Sequence, residues 1–369
     1  MKMYLTSQPY KKINGSVSIT GVLWFAVISL LILVVVVSIF LFLKSKSVPD
    51  DPFADVKGKL YMSMALVEGD RNGKKFADFE EYILDLKTGD LRKAIPNNNT
   101  LKISSGLSPD GTTLAYMSSP YDPNTPSDYF FAATEIAQLH TSNIETQEQK
   151  QITNNQNIGK RGPEWSPDGK KIAYYTALMD KYIANEQRDP SIWRINITDL
   201  LGRTEVVANG MQPFWSPDGK YILYISTDGL YRYNTVSLER EKVYDFGKEM
   251  TNQMKFDLSN DGTGFAWSDS EGGAIDLFEI TSWEPFEIHN VDRIPTQGWA
   301  GVFWPTYSPD NRYLIYQRAD APTGVTEIKQ EDVLLYTLQV YDTESKQLKE
   351  LFNLDSYRQD ASFVNDWIY

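Results

Sequence analysis

Trp165-Ser-Pro-Asp-Gly169, followed by the run KIAYYTA over 171–177, decides the fold because it recurs. Equivalent segments are Leu107-Ser-Pro-Asp-Gly111 before TLAYMSS, Trp215-Ser-Pro-Asp-Gly219 before YILYIST, Leu258-Ser-Asn-Asp-Gly262 before GFAWSDS, and Tyr307-Ser-Pro-Asp-Asn311 before YLIYQRA. The repeated serines, at 108, 166, 216, 259 and 308, lie 58, 50, 43 and 49 residues apart. That spacing fits one propeller blade of four short strands. The motif is a turn: Pro presets φ, Asp bonds the amides ahead of it, and Gly or Asn accepts φ > 0 where the chain reverses. Each such turn joins a blade's strand A to its strand B. Its aspartate is therefore structural, and the apolar residue before it packs between blades.

Each repeat continues into two further strands around a polar turn, as in IWRINITDLLGRTEVVA and LYRYNTVSLEREKVYDF. The same pattern without its first strand opens the domain at Lys59 and runs to Ile95. The missing strand is expected in the last segment, Ala361-SFVNDWIY369, so that the C-terminus closes the ring and leaves no sheet edge unpaired. The reading is an all-β, six-bladed β-propeller over 58–369, at about 52 residues per blade.

On these residues the chain resembles the TolB-like propellers, whose WD-like repeats carry a Trp-Ser-Pro-Asp-Gly signature. The resemblance spans 58–369; Leu107, Leu258, Asn260 and Asn311 depart from the signature. It implies the fold and leaves the function open, since such propellers serve many roles. TolB itself has an extra α/β domain before the propeller, and prolyl-oligopeptidase types carry a hydrolase domain; neither is expected here.

Before the propeller, Gly21–Leu43 is a 23-residue run broken only by Ser29 and Ser38, with no charged residue from Ile13 to Leu43. It is long enough for a hydrocarbon core of about 30 Å. No small-residue cleavage site follows, and Lys44-Ser-Lys46 flanks the run, so a retained single transmembrane helix is expected. The organisation read is a short cytoplasmic tail (1–20), a transmembrane helix (21–43), a linker (44–57) and the propeller (58–369). Lys11 and Lys12 flank one end and Lys44 and Lys46 the other, so the positive-inside rule does not decide orientation. A signal-anchor that translocates the large domain makes the propeller extracytoplasmic and places the protein in the plasma membrane. Self-association is not signalled, because Gly21 has no small partner residue at the spacing of a helix-packing motif.

Composition narrows the chemistry. All 49 acidic residues lie at or beyond Asp50, against 31 of the 36 basic ones, giving 50–369 a net charge of −18 and excluding nucleic acid as the expected partner. The absence of cysteine removes thiolate chemistry and thiolate metal sites, and His140 and His289 are the only imidazoles. No GxSxG, HExxH or GxxxxGK[ST] motif occurs. Two calcium-loop-like stretches, Asp257–Gly262 and Glu68–Gly73, read better as a repeat turn and a hairpin loop. The expectation is no catalytic residue, no metal, no cofactor and no enzyme.

Binding residues are expected instead on the loops between strands B and C. These read as long in blades one (68–79), two (118–130), three (177–190) and six (318–331), and as short in blades four and five. In a closed ring the four long ones form one arc, and long loops in compact domains tend to be functional. The candidates are Asp70, Asn72, Tyr121, Tyr129, Phe130, Lys181, Tyr182, Arg188, Trp299 and Arg318, with Trp304 assigned to the core. The function expected is a scaffold or sensor of the cell envelope that binds a protein or an envelope polymer. The alternative is a carbohydrate-active or other hydrolytic enzyme using acids around the channel.

Overall fold

A computed structural model describes residues 52–71, 74–96, 100–120, 137–155, 158–178, 192–247, 255–269, 274–295, 301–320, 335–353 and 359–368. The chain divides into two units, Met1–Ala54 and Asp55–Tyr369. The expected membrane helix over 21–43 lies outside the described residues, and no helix among the described ones is long and apolar enough to cross a membrane.

The described part of the second unit is six four-stranded antiparallel sheets. Blades two to six each take four strands in chain order; blade one pairs Gln359–Ile368 with Lys59–Arg71 and then Lys74–Asp85 and Leu91–Lys93. Its strand A is thus the last strand of the chain, as the repeat count required. The closing register sets Leu60 against Trp367 and Tyr61 against Asp366. Gly58, at φ 101°, lets the backbone meet this strand: a Cβ there would stand 2.0 Å from the Ile368 carbonyl oxygen.

Successive strands A pack on one another around the ring, and the last contacts the first. Strands A are therefore innermost, and the exposed strands D form the rim. Between the sheets lies an aliphatic and aromatic core that includes Ile172, Tyr174, Trp193, Ile222, Phe265 and Leu314, all nearly inaccessible. The motif tryptophans bolt neighbouring blades: Trp165 Nε1 donates to the Gly106 carbonyl at 3.0 Å, and Trp215 Nε1 donates to the Glu164 carbonyl at 3.2 Å.

The turns follow their chemistry. In all five motifs the serine hydroxyl bonds the aspartate two residues on, at 2.6–2.8 Å, and accepts the amide five residues on. The fifth motif position is left-handed throughout, including Asn311 at φ 63°. Hydrogen bonding to Ser166 and the Lys170 amide holds the Asp168 carboxyl below its ordinary range, as expected of a turn anchor.

Candidate functional site

The residue just before the motif's apolar position stands at the same height on each innermost strand. Around the ring it is Asp366, Gly106, Glu164, Phe214, Asp257 and Thr306 for blades one to six. Carboxylates therefore occupy blades one, three and five, and no two of those blades are neighbours. Even so, the charge of Asp366 raises the pKa of both Glu164 and Asp257, and the charge of Asp257 raises that of Glu164. Groups on non-adjacent blades can approach in this way only across the central axis. The three acids form a tier inside the channel, near the end where the A–B turns lie.

Burial is the main cause of each shift; neighbouring acids add to it at Glu164 and Asp257, while backbone hydrogen bonds oppose it at Asp257 and Asp366. The Asp257 carboxyl is pushed up to about 8, Asp366 to about 6, and Glu164 well above the carboxylate range. All three side chains keep some solvent contact although burial dominates their titration, which fits a narrow, wet channel. Two of them also hold blades together. Asp366 Oδ2 accepts the Leu107 amide at 3.0 Å, and Asp257 Oδ2 accepts the Tyr307 amide at 2.8 Å, each on the next blade. Glu164 has no such bond: its carboxylate has no hydrogen-bond or ion-pair partner among the described residues.

A second tier lies further from the A–B turns. On strand A of blade five, burial and the charge of Arg161 push the Lys255 ammonium down to about 7. Its Nζ stands 4.3 Å from the ring centroid of Trp304, on strand A of blade six. Arg161, on strand A of blade three, lies over the Trp193 ring at 5.6 Å. In blades three, four and six a bulge re-aims this stretch, and its third residue before the motif is left-handed: Gly162, Gln212 and Trp304, at φ 55°, 53° and 57°. A glutamine and a tryptophan held in that region are local strain, and such strain gathers at functional positions. Trp304, expected in the core, is instead half-buried beneath Lys255.

The expected loop residues fare differently. Asn72, Tyr121, Tyr129, Phe130, Lys181, Tyr182, Arg188 and Trp299 lie outside the described residues. Asp70 is not in a loop. Strand B of blade one runs to Arg71 and strand C starts at Lys74, with Asp70 opposite Lys75, so the stretch read as a loop over 68–79 is a long hairpin. Arg318 likewise lies within strand B of blade six, opposite Val302 and Thr337. No group of three or more acids or imidazoles spaced to hold a metal occurs among the described residues. The channel acids, Lys255 and Arg161 were not singled out from sequence. Their signal was present, an acid at one repeat position in alternate blades.

No family model matches the chain, and a search of curated proteins finds no match. Solved structures do match in fold. Oligogalacturonate lyase from Vibrio parahaemolyticus superposes with TM-score 0.50 at 13% identity, over 81% of this chain and 79% of that one. A chain of the nidogen/laminin complex does so with TM-score 0.52 at 10% identity, over 84% and 98%. A TolB-type protein from Agrobacterium tumefaciens gives TM-score 0.48 at 14% identity, over 80% and 89%. These likenesses are likenesses of fold. They nevertheless correct the expectation of no enzyme, which rested on missing linear motifs and a missing hydrolase domain. An oligogalacturonate lyase has this fold, and a propeller can assemble acids and bases from separate blades where no linear motif reveals them.

Proposed function

We propose that this chain is a membrane-tethered, extracytoplasmic propeller that binds an acidic polymer of the cell envelope, a carboxylated saccharide, in its central channel. The observation that carries the reading is the pair of opposed tiers: Glu164, Asp257 and Asp366 converging from three non-adjacent blades, with Lys255 and Arg161 beyond them. A carboxyl pushed up to about 8, as at Asp257, is largely protonated at neutral pH and can donate to a sugar hydroxyl, while an ionised neighbour accepts from one. Lys255 and Arg161 supply charge for a ligand carboxylate, and Trp304 supplies an aromatic face for a sugar ring. The apolar run over 21–43 supports the tether, and its place ahead of one large domain, the arrangement of a signal-anchor, supports the envelope location.

The test is equilibrium binding of the full-length protein in nanodiscs to a panel of anionic and neutral oligosaccharides, repeated with Lys255→Met and with Tyr121, Tyr129 and Phe130 changed together to Ala. Selective loss with Lys255→Met is the expected result. Loss only with the loop triple would move the site to the arc, and equal binding of neutral and anionic sugars would discard the ligand class.

A second reading is favoured by one feature, the neutral-range titration of Lys255 and Asp257, which suits proton transfer. It expects the bound saccharide to be cleaved, seen as new chain ends accumulating with time and disappearing in Asp257→Asn.

A further inference from the structure

Large apolar side chains stand in water at one end of the ring. Leu201 is 76% exposed in the C–D turn of blade three, and Val236 and Leu238 are 77% and 61% exposed in the C–D turn of blade four. Blades three and four are neighbours, so the three side chains stand on adjacent turns of one face. Trp283 and Phe286, both part-exposed, flank the C–D turn of blade five on the same face. Val206 and Leu348, early in strands D of blades three and six, are exposed toward the same end.

The fold has no evident use for these groups. Leu238 is left-handed at φ 64°, at a turn position filled by Gly89 in blade one and, also left-handed, by Gln147 and Lys346 in blades two and six. What sets blade four apart is the side chain: a glutamine and a lysine fill that position in blades two and six, and an exposed leucine fills it here. Charges border these side chains: Arg203 pairs with Asp199 and Lys220 with Glu284, and Glu205 and Glu239 stand exposed beside Val206 and Leu238.

Topology says where this end points. Strand B of blade one starts at Lys59 at the end of the ring that carries the A–B and C–D turns. The chain N-terminal to the propeller therefore leaves from the face that bears these side chains. Upstream lie the fourteen residues 44–57 and then the apolar run 21–43. We propose that this turn face docks on the lipid surface, with Leu201, Val236 and Leu238 dipping into the interface. The inference rests on the proposed membrane tether. Side chains of this kind gain by sitting at the boundary between headgroups and acyl chains. Docking leaves the opposite channel mouth open, the one nearer Lys255 and Arg161, together with the B–C loops.

The absence of cysteine makes the test direct. Leu201→Cys, Val236→Cys and Leu238→Cys, and Asp228→Cys in the B–C turn of blade four as the opposite-face reference, are each labelled with an environment-sensitive fluorophore. The full-length chain is reconstituted into phosphatidylcholine vesicles with or without nitroxide-labelled lipid. Docking gives a blue shift and strong nitroxide quenching at 201, 236 and 238, with neither at 228. Labels at 201, 236 and 238 that behave like the one at 228, in a chain that resists alkaline extraction, overturn the docking and leave the tether standing. A chain released by alkaline extraction overturns both. A blue shift without nitroxide quenching assigns these side chains to a second copy or another protein, and also overturns the proposal.

Discussion

Glu164 and Asp168 lie four residues apart in blade three and carry the same functional group in opposite circumstances. Asp168 sits in the A–B turn, where Ser166 and a backbone amide hold its carboxyl below the ordinary range. Glu164 faces the channel, where burial and the charges of Asp366 and Asp257 hold it far above that range. The turns are local: the motif serine and aspartate bond each other and amides within five residues, and the aspartate stabilises the fold by being ionised. The channel is non-local: blades distant in sequence bring like charges together, and ionisation there costs stability. The turn region thus builds the ring, and the channel region is a place where the ring holds unfavourable groups that a ligand could relieve.

If that division is right, the largest loss of stability comes from the side chains that bolt the turn region to the next blade. Trp165 is 7% exposed and donates to the Gly106 carbonyl. Trp165→Ala should cost about 3–5 kcal/mol, as large-to-small core changes do, measured by urea unfolding. A cost below about 1 kcal/mol would mean that blades two and three are held mainly by something other than the motif.

Within the channel the acids should separate. Asp366→Ala leaves the Leu107 amide without its acceptor, a loss of about 1–3 kcal/mol. Glu164→Ala removes a carboxylate that accepts nothing and repels two others, so it should be neutral or stabilising. Equal destabilisation by both substitutions would show that Glu164 is an inter-blade clasp like the others and not a group held for a ligand.

The contrast between regions also explains what could be read from sequence. The turns were legible because their chemistry lies in five consecutive residues, and closure by the C-terminus followed from a blade lacking one strand beside a strand lacking a blade. The channel was not, because Glu164, Asp257 and Asp366 look like ordinary polar residues at a strand end. Only the ring, by bringing blades one, three and five to one axis, turns them into a cluster. Trp304 was misplaced for a related reason: an aromatic three residues before a motif reads as core, and the bulge that holds it left-handed is invisible in composition. The stretch over 68–79 was misread because Gly69, Asp70, Asn72 and Gly73 are turn formers, whereas strand pairing carries through all but the tip.

The pH dependence of stability sharpens the comparison further. The folded pKa of Asp257 is about 8 against an unfolded value near 4, so the folded state binds the extra proton. Stability from this group is fully present below about pH 4 and is lost as pH rises through about 8. Asp168 runs the other way: its contribution is present above the unfolded value and is lost as pH falls below it. Asp257→Asn keeps an oxygen to accept the Tyr307 amide and removes the titration. It should raise stability at pH 9 by about 1–2 kcal/mol, allowing for solvent in the channel, and change it little at pH 5. Denaturant midpoints for the two proteins that stay parallel from pH 5 to 9 would place Asp257 in an ordinary aqueous environment.

The smallest effect tests the locality of the turns. Gly169 has φ 66°, and a Cβ placed there meets nothing nearer than Pro109 Cδ at 4.0 Å. Gly169→Ala therefore costs only the left-handed backbone conformation, about 1 kcal/mol. Gly262 has nearly the same φ of 70°, but its Cβ would stand 2.6 Å from Pro217 of the preceding blade. The difference between Gly262→Ala and Gly169→Ala thus isolates contact between neighbouring turns from backbone strain. If the two cost the same, Pro217 yields freely and the turns act independently. If Gly262→Ala costs clearly more, adjacent turns are mechanically joined, and the turn region is a continuous rim around the channel.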